Sequence, residues 1–496
     1  MSTNVKQKNL NKNNSQPQFQ GSIWKNLIVI SIPVAIYLIF KHFTSAVDYY
    51  IVGTPTKTNK NIDSVITLMK QIGKVFQAIA MGLGGAGVIL VAQEYKKNNK
   101  EKTQEYVTLA FLFSIILSLL LSIVFYIGAI IPNFDLFLPV SYRTDGGALC
   151  YNIQLISFIF MTINVVFIGI ERAKNKTRFV FFLNILNISA RVLLAFGYKW
   201  FRGEGKVSIV DLQLATLFSD LLITFIVVDF VFFNKKNDTR LDFKKFKFSS
   251  EVLKKFSKLS GGLVVGKATY EVGKAVVNTL TTKFYEPSLL GIAGLAALVN
   301  GIVYSLSQSF EDGQSVMVSQ ESSNQDSRKT LKIFKNVFVI TTILGTVGIL
   351  VNQFYGEKLL KFFKPTRDFS SEEMQGFKTI LFYEQLSLFT SVWASMMMGY
   401  IISYNKSAKI SFWMNLLRVL LRISLLSLLH LATDINHYIQ FGWSTAGSNI
   451  IVLIVVTVIF VKFIKKSHNE SEQQKIIKQD LKKRYFWYDN KNPFYS

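Results

Sequence analysis

Residues 30–53 read ISIPVAIYLIFKHFTSAVDYYIVG. As a helix, so long an apolar run is enough to cross a bilayer, whose hydrocarbon core of about 30 Å needs roughly 20 residues. Yet it carries Lys41 and Asp48, which share a face with Tyr37 and Thr44 at spacings of three, four and seven. A charged side chain turned to lipid costs about 2.5 to 3.5 kcal/mol on insertion scales. The stretch therefore reads as a membrane helix that turns a polar stripe toward protein or water. Pro33 lies about 22 Å before Asp48 at 1.5 Å per residue, and its ring removes a backbone hydrogen bond, so a hinge is expected there.

Scanning outward from this run predicts twelve spans, at about 24–52, 62–92, 105–131, 148–170, 178–198, 208–233, 256–282, 288–319, 332–355, 376–402, 407–431 and 437–463. The second and eighth are the least cleanly apolar. Composition agrees. Half of the 496 residues are hydrophobic, 43 are Phe and only 18% are charged, where a soluble chain carries about a quarter. The net charge of +25 suggests nucleic acid at first sight, but the Lys and Arg fall in short blocks between apolar runs, as in membrane loops. The single Cys150 excludes an internal disulfide, and four scattered histidines offer no metal-ligand spacing. No nucleophile, base and orienting group occur at a recognisable spacing, so catalytic residues are not expected and the chain does not read as an enzyme.

Charge placement orients the spans. When basic residues at span ends are counted with the segment they adjoin, 36 of the 56 Lys and Arg fall on the side of the termini and 11 on the other. The positive-inside rule then puts both termini in the cytoplasm, at a cell membrane crossed many times. The expected organisation is a disordered tail over 1–22, a first six-helix lobe over 23–233, a cytoplasmic linker over 234–255, a second lobe over 256–463 and a basic, aromatic tail over 464–496.

The halves resemble each other. GVILVAQEYKKNNKEKT (87–103) aligns with QSVMVSQESSNQDSRKT (314–330) at an offset of 227, and Asn184 and Arg191 fall on Asn415 and Arg422 at an offset of 231. Six spans per repeat give parallel repeats about an axis along the membrane normal, with the working site between them.

Eight basic groups lie deep in spans: Lys41, Lys70, Lys74, Arg191, Lys267, Lys274, Arg418 and Arg422. Facing lipid they would cost on the order of 20 to 28 kcal/mol together. Helical spacing instead collects them into stripes: Tyr37, Lys41, Thr44 and Asp48; Lys70, Lys74 and Gln77; Asn184, Asn187 and Arg191; Lys267, Glu271, Lys274 and Asn278; Asn415, Arg418 and Arg422. These five, with Glu384, are expected to line one substrate cavity. Buried carboxylates, Asp48, Asp220, Glu271, Glu311, Asp312 and Glu384 among them, are potential proton or cation carriers. The Gly-rich segment MGLGGAGVIL (81–90) fits neither phosphate-binding pattern and reads as close helix packing.

Residues 30–53, with Pro33 and the VD-x-x-x-x-G ending, together with the VAQE and VSQE exits from spans two and eight and the Asn-rich fifth span, resemble the multidrug and toxic compound extrusion (MATE) family of the multidrug/oligosaccharidyl-lipid/polysaccharide flippase superfamily. The resemblance covers about residues 24–463. It implies an all-α membrane protein of two six-helix lobes related by a pseudo-two-fold axis, acting as an antiporter that exports small amphiphilic or xenobiotic compounds in exchange for H⁺ or Na⁺, without cofactor, metal or nucleic acid. By resemblance, Asp48 and Glu271 bind the coupling ion and Pro33 is the helix-1 hinge. The sequence departs from the family at Leu263, where the second lobe often has proline, and at Arg191, where some members carry aspartate. A cavity with eight basic groups opposes cationic cargo, which leaves an alternative: an exporter or flippase of an anionic, possibly lipid-linked substrate gripped by Lys and Arg. A non-transporting membrane scaffold with internally paired charges is a further alternative. The expected partners are the small-molecule or lipid-like substrate and membrane lipids, with the chain acting as a monomer.

Overall fold

The computed structural model describes residues 22–51, 62–130, 146–174, 176–203, 206–234, 237, 239–241, 249–322, 327–364 and 368–489. These form twelve long helices: α1 Ile23–Ile51, α2 Ile62–Lys96, α3 Lys100–Ile130, α4 Gly147–Ala173, α5 Thr177–Arg202, α6 Ile209–Val228, α7 Ser250–Phe284, α8 Pro287–Ser322, α9 Ser327–Phe363, α10 Ser371–Asn405, α11 Lys409–Ala432 and α12 His437–Asp489. A π turn, Asp229–Phe233, ends α6, and there is no strand among the described residues. Local chemistry sets several boundaries. Ser208 with Asp211 and Ser370 with Glu373 form capping boxes that start α6 and α10, and the Ser249 hydroxyl accepts from Val252 N–H at the start of α7.

Eleven of the twelve helices are long and apolar enough to span a bilayer. The exception is α7, which has the length but carries Lys267, Glu271 and Lys274 at mid-height. It is tolerated because α2 and α11 flank it, Gln71 of α2 bonds Glu271, and Lys274 pairs with Glu271 on α7 itself. Faces that meet no protein are apolar instead. On α3, Ile116, Leu120, Ile123, Val124 and Ile127 form an exposed stripe at helical spacing, as a lipid-facing surface should.

Helices α1–α6 and α7–α12 make two lobes that meet through a symmetric set of contacts: α2 against α7, α1 against α8, and α2 against α8 on the axis. They touch at three levels. Near the ends of α1 and α7, Ala46, Ile51 and Ile66 of one lobe share an apolar cluster with Val277, Leu289 and Ile292 of the other. At mid-height the His42 ring bonds Leu298 O. Further down, a Cβ on Gly82 would lie 2.6 Å from Val264 Cα, so α2 and α7 approach backbone to backbone. The Gly-rich run 81–90 thus packs helices, as its sequence suggests.

Several boundaries differ from the sequence reading. The linker expected over 234–255 is shorter, because Ser249 caps α7 and Glu251 favours its first turn. The tail expected from 464 is helical to Asp489, since nothing from 464 to 489 is Pro or Gly. Spans two and eight each extend further, to Lys96 and Ser322. The tail expected over 1–22 lies, apart from Ser22, outside the described residues, as do 490–496 and 242–248.

Candidate functional site

In the first lobe α1, α2, α5 and α6 converge on one carboxylate. Asp48 is 7% exposed, and Arg191 Nη2 donates to its two oxygens at 2.8 and 2.9 Å. Lys70 Nζ stands 3.6 Å from the same carboxylate and donates to Ser45 O at 2.7 Å. The guanidinium is held from behind: Arg191 Nε donates to Thr216 Oγ1 at 3.0 Å and Nη1 to Thr44 O at 3.5 Å. One turn away Asn187 Nδ2 donates to Asp220 Oδ1 at 3.3 Å. A single buried carboxylate answered by two cations leaves a positive surplus, and removing one partner of such a pair typically costs about 3 to 5 kcal/mol.

The second lobe builds its cluster on α7 and α11. Lys274 Nζ lies 3.3 Å from Glu271 Oε1, and Gln71 of α2 reaches across the lobe boundary to Glu271 Oε2 at 3.1 Å and Glu271 O at 2.9 Å. Lys274 and Arg418 both lie over the Tyr270 ring, at 4.3 and 5.0 Å from its centroid, and Arg422 lies 5.5 Å from that of Phe441.

The stripes contribute to two charged clusters that meet at Gln71 and Glu271. Asn415 is drawn out of the site: its Nδ2 donates to Gly266 O at 2.8 Å and ties α11 to α7. Lys74 is exposed although it sits deep in α2, a helix otherwise mostly buried. Lys267, Asn278 and Glu384 are half-buried on α7 and α10, Asn184 is buried on α5, and Tyr37 is half-buried on α1. Pro33 lies inside a continuous α1. The Lys41 side chain is outside the described positions.

Several partners were not picked out by sequence. Lys70 was visible as a stripe member, but its pairing with Asp48 depends on the rotation of α2. Ser448 and Asn449 of α12 border the second cluster and carry no charge to mark them. Across the lobe boundary Arg172 meets Asp312 at 3.0 Å, and Lys96 meets Glu321 at 3.2 Å, with Lys329 at 3.0 Å. Half-buried Glu311 beside Asp312 accepts from Ser395 Oγ at 2.8 Å.

Comparison with known proteins fits this arrangement. Residues 33–197 match the MatE family model. No curated protein sequence matches the chain. Solved structures do. A MATE crystallised in the bent conformation superposes with a TM-score of 0.74 at 14% identity, over 91% of this chain and 98% of its own. An outward-facing multidrug resistance MATE family transporter of the MOP superfamily gives 0.76 at 13% identity, with the same coverage. A MOP superfamily transporter from Pyrococcus furiosus, whose binding pocket has a reverse polarity suggesting a different function, gives 0.71 at 14% identity over 90% of this chain and 97% of that one. Family and fold agree: residues 33–197 carry the MatE family pattern, and the chain as a whole has the fold of the MATE transporters, membrane proteins that move solutes and are not enzymes.

Proposed function

We propose that this transporter exports an anionic amphiphile, one with a phosphate or carboxylate headgroup, by alternating access of its two lobes. The observation that carries this reading is the cationic surplus facing the lobe boundary. Asp48 is already answered by Arg191 and Lys70, Glu271 by Lys274, and exposed Lys74 has no ion-pair partner among the described residues. Like charges in a cleft with low-dielectric walls repel strongly, so a cationic solute is disfavoured, whereas guanidinium and ammonium groups suit phosphate oxygens. The reverse-polarity pocket of the Pyrococcus furiosus transporter is a precedent within the same fold. An outward-moving anion also needs no counter-ion, because an inside-negative potential favours its exit by about 2.3 kcal/mol per charge at 100 mV. The setting would be a cell membrane, with the chain working as a monomer.

A second reading keeps the family's usual trade of a neutral or cationic amphiphile for H⁺ or Na⁺, with Asp48 and Glu271 as carriers. Half-buried Glu311 favours it, since it takes its described hydrogen bond from the Ser395 hydroxyl and has no basic partner within 4 Å among the described residues.

Binding to the purified protein separates the two. Two amphiphiles with one alkyl chain, ending in phosphate or in trimethylammonium, are titrated against tryptophan fluorescence. At least tenfold tighter binding of the phosphate, weakened by salt, is expected. Preference for the ammonium overturns the anionic reading.

A further inference from the structure

The two lobes differ in charge at positions that their repeat makes equivalent. The offset of 231 that sets Arg422 on Arg191 also sets Arg418 on Asn187. The offset of 230 that sets Leu263 on Pro33 sets Asn278 on Asp48. The starts of α6 and α12, Ile209 and His437, set Ser448, the neighbour of Asn449, on Asp220. In the first lobe Arg191 meets Asp48, and Asn187 donates to Asp220. In the second lobe both carboxylates are replaced by neutral side chains, while one arginine is kept and another takes the place of the asparagine. Neither Arg418 nor Arg422 has a carboxylate within 4 Å among the described residues.

These residues meet around a small pocket. Tyr270 and Lys274 of α7, Arg418 and Arg422 of α11, and Ser448 and Asn449 of α12 line a pocket of about 10 Å³. Arg418 is only 5% exposed, yet its Nε and Nη2 have no acceptor among the described residues, and neither does Arg422 Nε. Lys274 is engaged with Glu271. The ring faces of Tyr270 and Phe441 offset part of the charge but accept no N–H in the plane of a guanidinium. Buried donors of this kind, and buried cations above all, are retained where something accepts from them.

We infer that the second lobe binds a small monovalent anion, of the size and charge of a halide, between α7, α11 and α12. The space is small, near the lower limit for one water molecule, and so favours a compact anion over a tetrahedral oxyanion. The site lies inside one lobe and is read by binding alone, so it stands or falls separately from the cargo of the cleft.

Thermal unfolding of the purified full-length chain in detergent tests it, with sodium bromide replacing sodium gluconate at constant ionic strength. The unfolding midpoint of the wild type should rise saturably with bromide, since a ligand of the folded state stabilises it by mass action. Arg418→Gln should weaken the bromide response about ten- to hundredfold, the loss expected for one charged hydrogen-bond donor. Asn449→Asp restores to this lobe a carboxylate like Asp220. It should be as stable in gluconate as the wild type in saturating bromide, and should no longer respond to the halide. Anomalous scattering from bromide should fall between Arg418 and Arg422. A wild type equally stable in both salts, with no bromide peak, means that water bridges the arginines to the unpartnered Asn449 Oδ1 and overturns the inference. A bromide response that survives in Asn449→Asp places the anion elsewhere and also overturns it, and that arm holds even if Arg418→Gln does not fold.

Discussion

Arg191 of α5 reaches Asp48 of α1 with a single guanidinium nitrogen, Nη2, that donates to both carboxylate oxygens at 2.8 and 2.9 Å. Lys70 stands on the other side of the same carboxylate at 3.6 Å. Asp48 is therefore a counter-charge that holds two cations from neighbouring helices as much as an open ion site. Asp48→Asn should cost the first lobe about 3 to 5 kcal/mol, because Arg191 and Lys70 are left without it at membrane depth. The double variant Asp48→Asn with Arg191→Gln should lose less than the sum of the single variants. Reversible unfolding in mixed detergent measures this double-mutant cycle, and strictly additive losses would deny the pair any coupling.

Cross-lobe ion pairs close the end at which the chain enters and leaves. Lys96 with Glu321, and Arg172 with Asp312, join α2 to α8 and α4 to α8. If the lobes swing apart at this end during each cycle, tying it shut must stop transport. Lys96→Cys with Glu321→Cys, bridged by a short cleavable bis-thiol reagent, should abolish flux, and cleavage should restore it. Full flux in the bridged protein would show that this end does not open.

Lys406 caps α10 with φ at +55°, a left-handed conformation that costs a residue with a Cβ about 1 to 2 kcal/mol and glycine little. Burial, then the nearby ammonium groups of Lys255 and Lys97, push its own ammonium down to about 8 from 10.5. The unfolded chain then binds more protons between pH 8 and 10.5, so stability is lowered in full below about pH 8 and recovers as pH rises toward 10.5. Lys406→Gly relieves both the strain and the charge penalty, so it should raise stability by at least about 1 kcal/mol at pH 7 and remove this alkaline rise. Unfolding midpoints of the two proteins from pH 7 to 10 check both parts.

The topology is tested by single cysteines placed in a chain whose only native cysteine, Cys150, is buried. Cysteines at Lys100 and Arg240 should be blocked only by reagents that enter the cell. Those at Glu286, Asp368 and Asp434 should react from outside. Any exchange between the two groups would break the assignment of both termini to the cytoplasm.

Most helices were legible because each burial problem is local: a run of apolar residues longer than the bilayer is thick has few alternatives to a helix. Even α7, too polar by composition, was marked by the spacing of Lys267, Glu271 and Lys274. The extension of α12 to Asp489 was not legible, since residues 464–489 are polar and a solvated tail has the same composition. Nor were the contacts made by helix rotation and lobe docking. That Lys70 turns to Asp48, that Gln71 crosses to Glu271 and that Asn415 points at Gly266 O are facts about how helices meet, and no spacing within one helix encodes them. Arg191 was singled out as a departure from the family at its position, and its bond to Asp48 gives that departure a physical meaning.

The central claim is that the cleft carries anions, and flux in proteoliposomes tests it most directly. Vesicles hold either the alkyl phosphate or the alkyl trimethylammonium, an inside-negative potential is imposed, and the release of each is compared between the wild type and Lys74→Glu, which reverses the exposed charge on α2. The wild type should release the phosphate and leave the ammonium behind. Lys74→Glu should slow phosphate release by at least about tenfold, a change of roughly 1.4 kcal/mol, and admit the ammonium. Ammonium release by the wild type, driven by a proton gradient and indifferent to Lys74→Glu, would contradict the account.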